Sequence, residues 1–375
     1  MSSSGNQSSA SWRREWPLLL AFGTLAVALL GKSEVTAAMN QPILLIGLLG
    51  VICAVILVTS MAIVRHADVL AHRLGEPGGT LLLTLAVTGL EVAMVGFVMS
   101  TGDEKPALAR DTMFAVIMLV LNGFLGLALL LGGLRHSEQK YNFQSANAFW
   151  VMIIPLTVLG LILPNYTRAT AGPTLSTFQM IFLSVMSIGI YAIFLFVQNC
   201  RHQAFFIMPE KAADATSSEP EHASPSSTAY HTTMLALYGL PLVLLAKQMS
   251  APLDATVAKL GAPLALGGFI MAFLVLAPES ISAIRAALDN RLQRSVNILL
   301  GSVLASIGLT IPLVIAISLF TGRSLTLGID SVDTILLVLT LVTSIVTFSQ
   351  PRTNLLLGCV HLLLFFAYLM LMFER

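Results

Sequence analysis

The chain has 375 residues, of which 56% are hydrophobic and only 10% charged, with a net charge of +1. Soluble domains carry about 25% charged residues, so this composition excludes an ordinary globular protein and indicates a polytopic membrane protein. The near-neutral charge offers no basic surface for nucleic acid. Cys53, Cys200 and Cys359 are scattered without a CxxC pair or metal spacing and read as small packing residues.

Met1–Ser11 is polar and Ser-rich, and Arg13 and Arg14 then precede an apolar run from Trp16 to Gly31. This run reads as a retained first helix rather than a signal peptide, because no clear A-x-A pattern follows it. Further spans are expected at about Pro42–Val64, Thr80–Ser100, Met113–Leu134, Ala148–Pro164 and Thr174–Val197. After the polar, Pro/Ser-rich stretch around residues 201–229 come Thr232–Leu245, Leu264–Ile284, Val296–Phe320, Val332–Thr347 and Asn354–Met372. The fold class is therefore all-α, with about eleven transmembrane helices. Its units are an N-terminal segment with the first helix (1–38), a first set of five helices (39–200), a cytoplasmic linker (201–229) and a second set of five (230–375).

Alternate loops differ in charge. The N-terminus and the even-numbered loops hold twelve Lys and Arg residues against eight in the odd-numbered loops and C-terminus. The positive-inside rule then puts the N-terminus and linker in the cytoplasm and the C-terminus in the periplasm. An odd leading helix followed by five and five makes the two halves run in opposite directions, an architecture that recurs in secondary transporters.

Two carboxylates stand out. Thr80–Ser100 holds Glu91 near its middle, and Gly267–Ile284 holds Glu279. About twenty helical residues cross a ~30 Å hydrocarbon core, so both acids fall near the midplane, where an ionisable group is costly and marks a functional site. TLAVTGLEVAM and AFLVLAPESIS align with the glutamates in register, and in the following helices Asn122 aligns with Ser306. A carboxylate in a low-dielectric site resists ionisation until a cation arrives, so protons and cations compete for its oxygens. Hard cations such as Ca²⁺ and Na⁺ take oxygen ligands, and Asn122, Ser302 and Ser306 supply them as amide and hydroxyl oxygens. Gly89, Gly123, Pro278, Gly301 and Gly308 lie beside these groups and are the residue types that kink helices and release carbonyls. The plainer alternative is a buried carboxylate satisfied by its neighbours; for Asn122, Ser302 and Ser306 it is interhelical hydrogen bonding.

Glu76, His66 and His72 lie in RHADVLAHRLGEPGG ahead of the Glu91 span. That stretch reads as an interfacial amphipathic segment, with a proton-relay role for Glu76 and the histidines as the sharper alternative. Asp103 and Asp111 read as loop-flanking residues, His361 as a packed, hydrogen-bonded helix residue, and Arg352 as an interfacial anchor. No P-loop, dinucleotide fingerprint or nucleophile elbow is present, so transport draws on ion gradients rather than nucleotide, and no cofactor is expected.

The strings VRHADVLAHRLGEPGGTLLLTLAV, LEVAM, RDTMFAVIMLV, LLLGGLRH, LAPESISAIRAALDNRLQRSVNILLGSVLAS and RTNLLLG give the chain a resemblance that runs from about Val64 onward. It resembles the bacterial ChaA-type calcium/sodium/potassium:proton antiporters, in the cation/proton exchanger branch of the calcium/cation antiporter superfamily. The resemblance implies two inverted five-helix repeats and a central site where Glu91 and Glu279 alternate between proton and cation, with Asn122, Ser302 and Ser306 as supporting ligands. It also implies a bacterial inner-membrane location, with inorganic cations, protons and membrane lipid as partners and no nucleic acid. The chain departs from the branch pattern in having Gly89-Leu90 and Ala277-Pro278 before its acids where Gly-Asn is common, and its linker is only weakly acidic. The rival readings are a passive cation channel and an intramembrane enzyme with a glutamate-bound metal.

Overall fold

A computed structural model of the chain describes residues 15–74, 78–100, 104–198, 206 and 227–374. Twelve helices follow one another: α1 (Trp16–Leu30), α2 (Lys32–Asn40), α3 (Pro42–Leu74), α4 (Gly78–Ser100), α5 (Leu108–His136), α6 (Phe143–Asn165) and α7 (Thr177–Phe196) in the first part. The second part holds α8 (Thr228–Leu260), α9 (Ala265–Leu288), α10 (Leu292–Thr321), α11 (Ser331–Thr347) and α12 (Leu355–Phe373). Among the described residues, eight helices are long and apolar enough to span a bilayer and three more are shorter apolar helices. With the short, polar α2 set aside, this matches the eleven expected spans.

The ends differ from the sequence reading where charge and hydropathy disagree. α3 runs on to Leu74, so His66 and His72 belong to one continuous helix rather than a separate interfacial segment. Its extra turns are rich in Ala, Leu and His, and nothing there breaks a helix before Gly75. α8 is 33 residues long although Lys247 and Pro252 mark an early end at Leu245. Lys247 is accommodated with its ammonium 5.3 Å from the centre of the Phe97 ring, a cation–π contact that lets a charged residue remain on an apolar helix. The polar α2, between the first two apolar helices, was not foreseen.

The loops gather at two ends, and they alternate. At one end the short strands β1 (Glu138–Lys140) and β2 (Arg352–Asn354) pair antiparallel. There the His136 ring bonds the Leu288 carbonyl at 2.7 Å, and Gln139 donates to the Ala287 carbonyl at 2.7 Å. Glu15, Arg65 and Tyr230 also meet at one end of α1, α3 and α8. At the opposite end the Thr326 N–H bonds the Pro106 carbonyl at 2.9 Å, Arg323 reaches the Met99 carbonyl at 2.8 Å, and Lys105 pairs with Asp254 at 2.5 Å. Each helix from α3 to α12 therefore runs from one end to the other.

Helix packing is reciprocal between the halves. α4 packs on α10 while α9 packs on α5; α7 packs on α10 while α12 packs on α5; and α3 packs directly on α8. α5 and α10 are consequently the buried centre, with Ala115, Val116, Ile117, Leu121, Leu299, Leu300, Val303 and Leu304 wholly enclosed. The outer helices carry their large apolar side chains outward, as Phe178, Ile181, Phe182 and Val185 do on α7. In water that surface would be an aggregation site; in lipid it is the correct face.

The central helices approach closely through glycine. A Cβ on Gly358 of α12 would lie 2.4 Å from the Leu130 nitrogen of α5, and one on Gly133 would lie 2.8 Å from the Leu355 nitrogen. Small residues of this kind allow two backbones to touch, and in a bilayer the gain is van der Waals packing rather than expulsion of water.

Candidate functional site

Glu91 on α4 and Glu279 on α9 are both buried, 2% and 3% exposed, and each helix packs against the central helix of the other half. The Ser306 hydroxyl of α10 donates to Glu91 Oε2 at 2.5 Å. Ser302 lies one turn earlier on α10, beside Glu279 of α9, and those two helices pack on each other. Four of the five residues singled out from sequence therefore converge.

Each carboxylate has one oxygen left unpaired among the described residues. Among the described residues, Glu91 Oε1 and Glu279 Oε1 have no hydrogen-bond partner, and neither have the buried hydroxyls of Ser302, Thr88, Ser280 and Thr310. Buried polar atoms are nearly always paired, and each one left without a partner costs about 1–3 kcal/mol. Thr88 lies one turn before Glu91 and Ser280 directly follows Glu279; both escaped the sequence reading because single hydroxyls in apolar helices are common. A crevice lined by Thr84, Tyr191, Gln198, Asn297 and Gly301 opens near Ser302 on the side of the β1–β2 pair.

Asn122 is placed differently. It lies in a π-helical turn of α5, Met118–Phe124, where the wider winding departs from the α-helical ladder, a feature that often marks function. Its Nδ2 donates to Thr340 Oγ1 at 2.8 Å and its Oδ1 lies 3.1 Å from His361 Nδ1, so both amide atoms face α11 and α12.

The helix breakers act in a way the sequence did not reveal. α9 stays helical through Pro278, which cannot donate to the Leu274 carbonyl four residues earlier. Instead of facing a cavity, that carbonyl lies 3.0 Å from the Ser60 hydroxyl of α3, which shares its hydrogen with the Ile56 carbonyl at 2.8 Å. α10 repeats the arrangement: Pro312 vacates the Gly308 carbonyl, and Ser187 of α7 donates to it at 3.0 Å. A serine from another helix thus closes each proline gap beside the candidate site.

Of the proposed relay residues, His66 is buried, His72 is exposed, and Glu76 lies outside the described residues, as do Asp103 and most of the 201–229 linker. His66 belongs to a separate cluster at the N-terminal end of the molecule. Its Nδ1 is 2.8 Å from His231 Nδ1, and its Nε2 is 3.3 Å from Glu15 Oε2. Glu15 also accepts from Tyr238 at 2.6 Å, from Tyr230 at 3.1 Å and from Arg65 at 2.9 Å. Burial acts to raise the Glu15 pKa, but the Tyr238 hydrogen bond and the Arg65 charge outweigh it and hold the carboxyl below its ordinary range. Of the remaining readings, Asp111 pairs with Arg110 in the first turn of α5, Arg352 on β2 pairs with Glu138, and His361 is a buried, hydrogen-bonded helix residue as expected.

An all-helical membrane bundle whose halves exchange contacts around two buried acids defines a class of ion transporter. The chain belongs to the sodium/calcium exchanger protein family, whose pattern matches residues 44–199 and 230–374. It is 37% identical over 362 residues to the sodium-potassium/proton antiporter ChaA of Escherichia coli, covering 96% of each chain. It is 43% identical to the putative ionic transporter y4hA of Sinorhizobium fredii over 83% of this chain and 84% of that one. Among solved structures, native YfkE superposes with a TM-score of 0.70 at 18% identity, covering 96% of this chain and all of that one. The H⁺/Ca²⁺ exchanger CAX superposes at 0.63 and 16% identity, over 94% and 88%.

Proposed function

We propose that the protein is a secondary cation/proton antiporter of a bacterial inner membrane, exchanging Ca²⁺, and Na⁺ or K⁺, for protons at Glu91 and Glu279. The observation that carries this reading is the pair of buried carboxylates, each with an oxygen that no described residue satisfies. Such an oxygen is stabilised by a proton or by a cation, and the two cannot occupy it together. The relative named as a sodium-potassium/proton antiporter adds support.

Protons arriving from outside neutralise Glu91 and Glu279 and release the cation; the proton-loaded site then turns inward, loses its protons and reloads. Ser306 orients the Glu91 carboxyl, since its hydroxyl donates to the ionised form and accepts from the protonated one. Ser302, Thr88 and Ser280 add oxygen ligands from the turns around the acids, and Asn122, held by His361 and Thr340, offers the second lone pair of its amide oxygen. Two acids balance one Ca²⁺ against two protons. The reciprocal packing supports two inverted five-helix repeats, 39–200 and 230–375, as the moving parts. The lysine and arginine excess supports a cytoplasmic N-terminus and a periplasmic C-terminus.

The test is cation-induced proton movement in everted vesicles, with Ca²⁺, Na⁺ and K⁺ added separately. Exchange in the wild type, lost in Glu91→Gln and Glu279→Gln despite normal insertion, is the expected result. A cation flux that moves no protons makes the protein a channel instead.

A further inference from the structure

The antiport scheme leaves a buried histidine unused. His361 on α12 is wholly enclosed, with Nδ1 3.1 Å from Asn122 Oδ1 and Nε2 3.0 Å from Thr347 Oγ1. The ring lies beside the π turn of α5, in which the Leu121 carbonyl has lost its usual helical donor. That carbonyl is available because the N–H of Leu125 bonds Val120 instead, the signature of the π turn. Asn122 Oδ1 is the atom that faces Nδ1 and an amide oxygen only accepts, so the hydrogen sits on Nδ1 and Nε2 accepts from the Thr347 hydroxyl. Asn122 must then turn its oxygen to His361 and its Nδ2 to Thr340, which fixes the amide orientation from both sides. The same turn packs on α9, which carries Glu279, and on α10, which carries Ser302 and Ser306.

We propose that His361 is a positioning residue of the cation site: it holds the Asn122 amide within the π turn, and so sets cation affinity and the preference between divalent and monovalent ions. Selectivity among hard cations depends on the number of oxygen ligands and the rigidity of their cage. Side chains that orient a ligand from behind are worth about 10–100-fold in metal affinity. A loosened π turn lets the oxygens of α5 adapt to either ion, so affinity falls and discrimination narrows together. The inference rests on the antiport reading of Glu91 and Glu279.

The experiment is cation-driven proton exchange by the full-length protein in proteoliposomes, with half-saturation and maximal rate measured for Ca²⁺, Na⁺ and K⁺. The variants are His361→Ala, His361→Asn, His361→Gln and Thr347→Val. An asparagine amide N–H occupies the position of Nδ1, whereas a glutamine amide reaches only toward Nε2. His361→Ala should raise half-saturation for the preferred cation about tenfold, change the maximal rate far less, and narrow the divalent-to-monovalent ratio. His361→Asn should restore affinity and ratio; His361→Gln should not; and Thr347→Val, which keeps the Nδ1 contact, should resemble the wild type. Wild-type values in a folded His361→Ala protein, or equal behaviour of the asparagine and glutamine variants, overturns the proposal. A wild type that moves no protons with any cation overturns the antiport reading itself.

Discussion

Replacing Ser187 by alanine removes the hydrogen bond that α7 gives to the Gly308 carbonyl at 3.0 Å. That carbonyl has no helical donor, because residue 312 is proline, and it lies in a buried stretch two residues beyond Ser306. Interhelical hydrogen bonds in membranes average about 0.6 kcal/mol and reach about 1.7, because the reference state finds other partners. A carbonyl vacated by proline lacks the local alternative, so Ser187→Ala should cost about 1–2 kcal/mol, towards the upper end. In a Pro312→Ala background the new N–H at position 312 can close the gap within α10, and the cost of Ser187→Ala should fall below about 0.5 kcal/mol. The coupling is then about 1 kcal/mol, measurable as a double-mutant cycle on reversible unfolding in mixed detergent micelles. An equal cost in both backgrounds would refute the claim that the serine compensates for the proline. The Glu91 bond to Ser306 lies on the same stretch of α10, so the single variant should also weaken cation affinity while the double variant recovers part of it.

Three further outcomes follow from other contacts. Gly358→Ala places a Cβ 2.4 Å from the Leu130 nitrogen, so α12 must move away from α5; the folded yield and thermal midpoint should both drop. Glu15 is held below its ordinary value of 4.5, so its contribution to stability is present above that value and is lost as pH falls through the lower folded-state value. The difference in thermal midpoint between wild type and Glu15→Gln should therefore stay constant from pH 8 down to about 5 and shrink on further acidification. Asp254→Asn breaks the half-exposed pair with Lys105 and should change stability by less than about 1 kcal/mol, vanishing at high salt.

Much of the fold was readable because a bilayer demands long apolar helices, and Glu91 and Glu279 were readable because a lone carboxylate in such a run has no cheap explanation. Ser302 and Ser306 followed from register with those acids, and the structure brings both to them. What stayed hidden depends on which helices cross. Ser60 and Ser187 look like ordinary small residues until α9 and α10 bring Leu274 and Gly308 to them. Glu15, His66 and His231 are separated by 51 and 165 positions and meet only when α1, α3 and α8 assemble. Asn122 announced itself as a polar residue in a buried helix, but its direction toward His361 is set by the π turn and by α12, which no local pattern encodes. The length of α8 was missed for a similar reason, since the Phe97 ring that accommodates Lys247 belongs to α4.

The central claim is that Glu91 and Glu279 trade protons for a cation, and the most direct measurement is the number of protons released when a cation binds. Purified protein near neutral pH is titrated with Ca²⁺, Na⁺ or K⁺ by calorimetry in buffers of different ionisation enthalpy. The wild type should release protons with at least one cation, Glu91→Gln and Glu279→Gln should each release fewer, and the double variant none. A cation that binds with the same proton release in the double variant as in the wild type would contradict the account.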